Sequence, residues 1–419
     1  KKQRVSADPR VQTTALPCSP TMTAMWSSII GLILLLLPLA PSSSSYIKYQ
    51  LGGEVYPTGR FFVVMKIGEP LTPYYLDIDT GSNVTWLECY HPVHGCHGSP
   101  GVTQFYKPAL GNLRVDCKDP FCAALHADLR GTNPQCTRED PHQCHYEVGY
   151  VDGESEGVLS NDTVSLAEGN NRPMVFGCGY NQRPANPSQP PNQTPVNGVL
   201  GLANGTVGFA AQLKKQGVIT KNVIGHCLGM TGGGYLFIGD YKFPPNGIIW
   251  VPMRKYEPFY SPGQATVHLD GQQIYANGMS AVFDSGATYT YMPSRIYNPL
   301  VAKVVDLLAG AAEPAKDDPT LPHCWKKPKS IESFDDVKNT FKQLELRFGN
   351  NIVMKIPAKK YLILSKYKNF CLGILNGSDL GQDQRIIIGD ITMQDMLVVY
   401  DNERGMMGWV HRPCTTPRL

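Results

Sequence analysis

The chain is sparing with charge: 17% of its 419 residues are charged, and 38 Lys and Arg against 35 Asp and Glu leave a formal net charge of +3. A balance so weak and so scattered excludes a polyanion-binding role, so no nucleic-acid partner is expected. Apolar runs of membrane length are also missing. The single contender, WSSIIGLILLLLPLAPSSSS from Trp26, is too short for a comfortable span and ends in Pro and small residues, as a signal peptide does. No second such run follows, and the polar end Thr415-Thr-Pro-Arg-Leu419 argues against a glycolipid anchor. Stable membrane association is therefore not expected. Phosphate and metal signatures are absent too. Gly232-Gly-Gly234 lacks the Lys-Ser/Thr ending of a phosphate loop and reads as a turn between strands. His91, His94 and His97 sit beside Cys89 and Cys96 at the spacing of no standard zinc finger, and read as a surface loop.

What is present points to a β-rich secreted protein. A 42% hydrophobic content is enough for one large or two medium cores. The 41 Gly, 34 Pro and 21 Tyr, with short apolar runs such as Phe61-Phe-Val-Val-Met65 and Ile248-Ile-Trp-Val251 between turn residues, favour strands, so the fold class is mainly β. Residue 1 is Lys and the first methionines are Met22 and Met25, so 1–21 reads as upstream sequence outside the protein and 22–45 as the signal peptide. Eleven of the twelve cysteines follow that leader, as an oxidising compartment allows. Sequons at Asn83, Asn161, Asn192, Asn204 and Asn376 are compatible with glycosylation, although Asn83 adjoins the candidate site described next. The run from Pro184 to Pro191 reads as an exposed loop.

The most informative feature is an imperfect repeat. Tyr75-Leu-Asp-Ile-Asp79-Thr80-Gly81-Ser82 carries alternating apolar residues into a tight turn and runs on to Trp86-Leu87; Ser280-Ala-Val-Phe-Asp284-Ser285-Gly286-Ala287 does the same and continues to Tyr289-Thr-Tyr-Met. Each is followed downstream by an apolar pair closed by glycine, Val199-Leu200-Gly201 and Ile387-Ile388-Gly389. Two similar halves are implied. One Asp-Thr/Ser-Gly is an ordinary turn; two in matching contexts suggest a pair of carboxylates brought together. Peptide hydrolysis without a metal or a covalent nucleophile needs one group to deprotonate water and another to protonate or polarise the scissile carbonyl. Two close carboxylates sharing a proton supply both, and titrate as a unit.

At these residues the chain resembles the pepsin-like aspartic proteases, and more closely their plant nucellin and nepenthesin branch. The resemblance runs from about Tyr56 to Cys414 through DIDTGSNVTWLEC, FGCGYNQ, GVLGLANG, HCLGMTGGGYLFIGD, AVFDSGATYTYMP and IIIGDITMQDMLVVYDNERGMMGW. It implies a bilobal fold with a substrate cleft between an N-terminal lobe, 46–240, and a C-terminal lobe, 241–419. Asp79 and Asp284 become the catalytic pair, without metal or cofactor, acting on peptide or protein substrates and open to pepstatin-like inhibitors. Thr80 and Ser285 would tie the two loops together, with Gly81 and Gly286 permitting close approach and Ser82 donating to a carboxylate. Tyr150 becomes the tyrosine of a flap over the cleft, with Trp86 its hydrogen-bonding neighbour. By the same analogy Cys117 pairs with Cys144, Cys122 with Cys136, Cys96 with Cys178, Cys227 with Cys414 and Cys324 with Cys371, leaving Cys89 over.

Two departures from the family pattern bear on activity. Where relatives carry Ser or Thr after the second Asp-Ser/Thr-Gly, this chain has Ala287, which cannot donate to a carboxylate; losing a donor to the ionised form raises a pKa, so a less acidic optimum is expected. About twenty residues separate the leader from Phe61, too few for a long inhibitory propeptide. With no saposin-like insert in the second half, secretion to the apoplast is expected over vacuolar delivery, as a monomer. The competing reading is a weakly active or inactive binding protein of the xylanase-inhibitor type.

Overall fold

The computed structural model describes residues 46–414 except 91–94, 100, 110–113, 130–135, 137–141, 152, 167–168, 185–194, 244–246, 256–257, 329–330 and 338. The expected leader at 22–45, the segment 1–21, His91, His94, Asn192 and most of the Pro184–Pro191 loop lie outside the described residues.

Strands dominate, as the short apolar runs imply. In Arg60–Ile67 the side chains of Phe61, Val63, Met65 and Ile67 are buried while Val64 and Lys66 face solvent, the two-residue alternation of a half-buried strand. Met396–Asp401 is apolar almost throughout and buried on both faces. The two halves form two β-rich lobes. The larger sheet has thirteen strands, running from Ile249–Pro252 through Met406–His411, Met396–Asp401, Val223–Leu228, Gly234–Gly239, Tyr46–Glu54, Arg60–Ile67, Thr72–Asp79, Gly198–Gly201, Trp86–Glu88, Asn171–Pro184 and Gly153–Ser165 to His145–Gly149. An eight-stranded sheet holds Gly263–Leu269, Met279–Phe283, Arg385–Ile388 and Thr290–Met292. Three strands beyond residue 240 thus belong to the sheet of the first half. Gly232 and Gly233 take positive φ values, 87° and 66°, and form the expected turn between Val223–Leu228 and Gly234–Gly239.

The sequence repeat is a structural repeat. Thr72–Asp79 pairs in parallel with Gly198–Gly201, placing Asp79 opposite Gly201, and Met279–Phe283 pairs in parallel with Arg385–Ile388, placing Phe283 opposite Ile388. The residues after each Asp loop return to the same partner strand antiparallel, Trp86 against Val199 and Tyr291 against Ile387. In this way each apolar pair seats one Asp loop. The glycine closing each pair is needed for that: a Cβ on Gly201 would lie 2.7 Å from the backbone of Val84, and one on Gly389 2.1 Å from the Tyr289 carbonyl.

Five disulfides are formed among the described residues, and three of the expected pairings are corrected. Cys227–Cys414 and Cys324–Cys371 stand. Cys89, expected to be left over, is bonded to Cys178, and Cys96 is the free thiol among the described residues. The ladder explains this: Leu87 lies opposite Cys178, the Cys89 N–H donates to the Gly179 carbonyl, and the Cα atoms of Cys89 and Cys178 are 5.3 Å apart. Burial and the Glu88 carboxylate push the Cys96 thiol up, which makes it a poor nucleophile. Cys117 pairs with Cys136 rather than Cys144, and Cys122 with Cys144 rather than Cys136. Here the reason is a helix, Pro120–Asp128, started by Asp119, whose carboxylate accepts from the Phe121 N–H. Its buried face carries Cys122 into the apolar cluster that contains Cys144.

One buried lysine ties the far end of the larger sheet. Lys360 is 2% exposed, and its Nζ donates to the Asp395 carbonyl at 3.2 Å and to His411 Nδ1 at 2.8 Å, while His411 Nε2 donates to the Lys355 carbonyl. Burial drops the lysine from an ordinary 10.5 to about 7, against the opposing pull of Asp395. Between these values the unfolded chain binds a proton that the folded chain refuses, so stability declines as pH falls from about 10.5 to about 7 and levels off below. Replacing Lys360→Met should therefore raise the urea-unfolding stability relative to wild type by an amount that grows, on the order of 3 kcal/mol, from pH 9.5 to pH 6.5. An equal effect at both pH values would contradict the assignment.

Candidate active site

The two Asp loops meet at the boundary between the two halves. The Thr80 hydroxyl donates to the Phe283 carbonyl at 3.1 Å and accepts from the Ser285 N–H at 2.9 Å; reciprocally, the Ser285 hydroxyl donates to the Ile78 carbonyl at 2.7 Å and accepts from the Thr80 N–H at 3.1 Å. Both side chains are essentially inaccessible, so each hydroxyl must find its partners inside the protein. Beyond this knot the loops cross. A Cβ on Gly81 would lie 2.6 Å from Asp284 Oδ1, and one on Gly286 2.6 Å from Asp79 Oδ1. Each loop's glycine thus covers the other loop's carboxylate, which is why no side chain is tolerated at either place.

The carboxylates are not equivalent. Asp79 accepts from the Gly81 N–H at 2.7 Å and takes a very short bond from the Ser82 hydroxyl. Among the described residues Asp284 accepts only the Gly286 N–H, at 3.0 Å, because Ala287 stands where a hydroxyl would match Ser82. Burial pushes both groups up, but on Asp79 the donors and a bond from Asp284 work against it, whereas on Asp284 the Asp79 charge adds to it. Buried, with fewer donors and the Asp79 charge beside it, Asp284 is raised well above the carboxylate range.

The expected aromatic pair is also joined. Trp86 Nε1 donates to the Tyr150 hydroxyl at 2.7 Å, with ring centroids 6.2 Å apart. Tyr150 follows the strand His145–Gly149, and its N–H donates to the Gly153 carbonyl, closing a hairpin with Gly153–Ser165. Burial and the Asp79 charge raise its phenol well above 10, so it stays a neutral hydrogen-bonding group.

Two further acidic residues, missed by the motif reading, lie near the pair. Asp77 lies two residues before Asp79, on the same face of the strand, and is held by Arg60 at 3.2 Å. Asp390 follows Gly389, is 1% exposed, and neither of its oxygens meets a hydrogen-bond donor among the described residues. Burial and the charges of Asp77, Asp284 and Asp79 raise it well above the carboxylate range, so it is a neutral acid. The signal for Asp390 was a break in the repeat: the matching position after Gly201 is Leu202. Among the described residues, ligand-type side chains gather at Cys122, His126 and Cys144 and at Asp318, Cys324 and Cys371, and in both groups a disulfide consumes the cysteines.

Two family models match most of the chain, one described as xylanase inhibitor N-terminal over residues 61–240 and one as xylanase inhibitor C-terminal over 263–411. Each contains one of the two aspartates. An aspartic proteinase of Oryza sativa subsp. indica is 43% identical over 404 residues, covering 92% of this chain and 95% of that protein. The chain belongs to the pepsin-like aspartic protease family. Within its plant nucellin-like branch, similarity extends to Aspartic proteinase 36 of Arabidopsis thaliana, 29% identical over 88% of this chain and 78% of that one. Basic 7S globulin from soybean, at 15% identity, a TM-score of 0.64 and coverage of 88% and 95%, shares the fold.

In this aspartic protease family member the hydroxyl knot can be tested apart from any activity. Thr80→Ala and Ser285→Ala should each lower stability by about 1–3 kcal/mol by stranding buried partners. The double variant should lose clearly less than the two losses added, since both remove one shared network. Strict additivity in urea unfolding would mean that the hydroxyls are not coupled.

Proposed function

We propose that the chain is a secreted aspartic endopeptidase, with Asp79 and Asp284 activating a water for attack on a peptide carbonyl. The observation that carries this reading is the mutual approach of the two carboxylates across the crossed loops, with unequal donors that set their roles. Ionised Asp79 takes a proton from the water as its oxygen bonds to the carbonyl carbon, and Asp284 gives its proton to the carbonyl oxygen. In the resulting diol, Asp79 passes its proton to the amide nitrogen, the C–N bond breaks, and Asp284 recovers the hydroxyl proton. Tyr150, braced by Trp86, is the lid residue that closes over the extended peptide in the cleft and limits water. Five disulfides fit an oxidising compartment, and no helix among the described residues is long and apolar enough to cross a membrane.

A second reading, a binding protein with little or no peptidase activity, is favoured by the description of the two matching family models and by Ala287. Cleavage of a quenched fluorescent peptide library from strongly acidic to neutral pH separates the two. Endopeptidase function requires pepstatin-sensitive hydrolysis that Asp79→Asn lowers by at least about 10²–10⁴-fold; silence from the folded wild type at every pH selects the binding protein. Restoring a donor with Ala287→Ser should stabilise the ionised pair and move the optimum to more acidic pH by roughly one unit. A shift in the other direction would sink the role given to Ala287.

A further inference from the structure

The hairpin that carries Tyr150 does not stand alone. His145–Gly149 and Gly153–Ser165 form its arms, and the end of Asn171–Pro184 adds a third strand, with Gly153 opposite Pro184, Glu154 opposite Arg183 and Glu156 opposite Asn181. That third strand is anchored to the body of the first half. Cys178 is bonded to Cys89, the His97 N–H donates to the Tyr180 carbonyl at 2.7 Å, and the Gln182 N–H donates to the His97 carbonyl at 2.8 Å. A register shift between Glu156 and Gly157, where Tyr180 is the extra residue, sets this three-stranded leaf off from the rest of the sheet. Strand alternation divides its two faces. Tyr146 and Val148 are buried on the face that leads to Tyr150, and Glu147 lies on the other.

The outer face carries a charge conflict. Glu147 and Glu156 stand directly opposite each other across the hairpin, and Glu154 is two residues before Glu156 on the same side. Like charges paired in this way weaken a hairpin. One cation meets all three: Arg183 Nη2 lies 2.7 Å from Glu156 and 3.2 Å from Glu147, and its Nη1 lies 3.4 Å from Glu154. The Asn181 side-chain amide also donates to Glu156, at 2.9 Å. An isolated exposed ion pair contributes little, because two long side chains must be held still in water. Here the ladders already bring the four side chains together from three adjacent strands, and removing the cation leaves three carboxylates facing one another.

We propose that Arg183 is a positioning residue for the flap: by neutralising Glu147, Glu154 and Glu156 from the anchored strand, it holds the hairpin to the body and keeps Tyr150 seated against Trp86. The inference rests on the endopeptidase reading, in which Tyr150 is the lid. The Tyr150 N–H donates to the Gly153 carbonyl at 2.6 Å, so Glu147 and Glu154 lie within three residues of the bond that closes the tip. A shift of either arm at the glutamates is carried to Tyr150. With the clamp in place, substrate meets a hairpin already in position, and apparent affinity is not reduced by the fraction of molecules whose flap is displaced. Arg183 lies on the face turned away from Tyr150, so its effect falls on binding rather than on the chemical step.

The test uses the mature full-length chain, with Arg183→Met, which keeps the aliphatic stem, and the triple variant that adds Glu147→Gln and Glu156→Gln. Amide exchange of the segment 145–157 is followed by mass spectrometry at about pH 6, where surface carboxylates carry their charge. KM and kcat of pepstatin-sensitive hydrolysis are measured at the least acidic pH that supports turnover, with a urea midpoint as a check on folding. Arg183→Met should speed exchange in that segment roughly three- to tenfold and raise KM by a similar factor, with kcat within about twofold of wild type. The triple variant should return exchange and KM to within about twofold of wild type, which a lost packing contact would not do. Wild type in about 1 M salt should exchange as Arg183→Met does, since screening removes the same attraction without a substitution. Unchanged exchange in folded Arg183→Met, or faster exchange that the triple variant does not recover, would overturn the clamp. Exchange needs no turnover, so an inactive wild type would overturn the endopeptidase reading while the exchange result still decides whether Arg183 holds the hairpin.

Discussion

Four hydrogen bonds exchanged between Thr80 and Ser285 and the opposite loops set the arrangement on which the rest depends. A buried hydroxyl has one proton and two lone pairs, and here the proton and a lone pair of each are committed to the backbone of the opposite loop. Shifting either half by a fraction of an ångström would strand polar groups that water cannot reach. Because the loops are locked at these two side chains, the glycines one residue on must pass over the opposing carboxylates. The like-charged pair is therefore a consequence of the knot: the same bonds that stabilise the seam hold two carboxyls closer than they would settle unaided. A single shared proton is the general resolution of such a conflict, and the donors here are unequal, a hydroxyl at Ser82 and none at Ala287.

A second constraint comes from strand order. Met396–Asp401 and Met406–His411 leave the second half and complete the sheet of the first, where the Cys227–Cys414 disulfide ties the chain end to Val223–Leu228. The two lobes thus share main-chain hydrogen bonds, which resist relative motion better than side-chain contacts would. The same route carries Asp390 into the field of Asp284, so the surroundings of the aspartates include residues far away in the chain.

The repeat was legible because it is local. Alternation before Asp79 and Asp284, the turn glycines, and the apolar pairs ending in Gly201 and Gly389 all lie within a few residues, and the parallel pairing of those segments follows from them. Trp86 and Tyr150 were placed by resemblance, and they are hydrogen-bonded. The disulfides were misassigned where partners depend on tertiary register. Nothing in the spacing of Cys89 and Cys96 says which of them falls beside Cys178, and only the ladder from Leu87 decides it. Likewise Lys360 sits in a stretch that a hydrophobicity pattern reads as an ordinary turn. Its burial beside His411 is a property of the assembled sheets.

The measurement that bears most directly on the aspartate pair is calorimetric binding of pepstatin as a function of pH, in buffers of different ionisation enthalpy, for the wild type and Asp284→Asn. A pair sharing one proton requires one-to-one binding whose affinity falls as pH rises past the point where that proton is lost, with proton uptake on binding in that range, and with both features gone in the variant. A folded wild type that binds no pepstatin at any pH, or binds it identically after Asp284→Asn, would contradict the shared-proton pair.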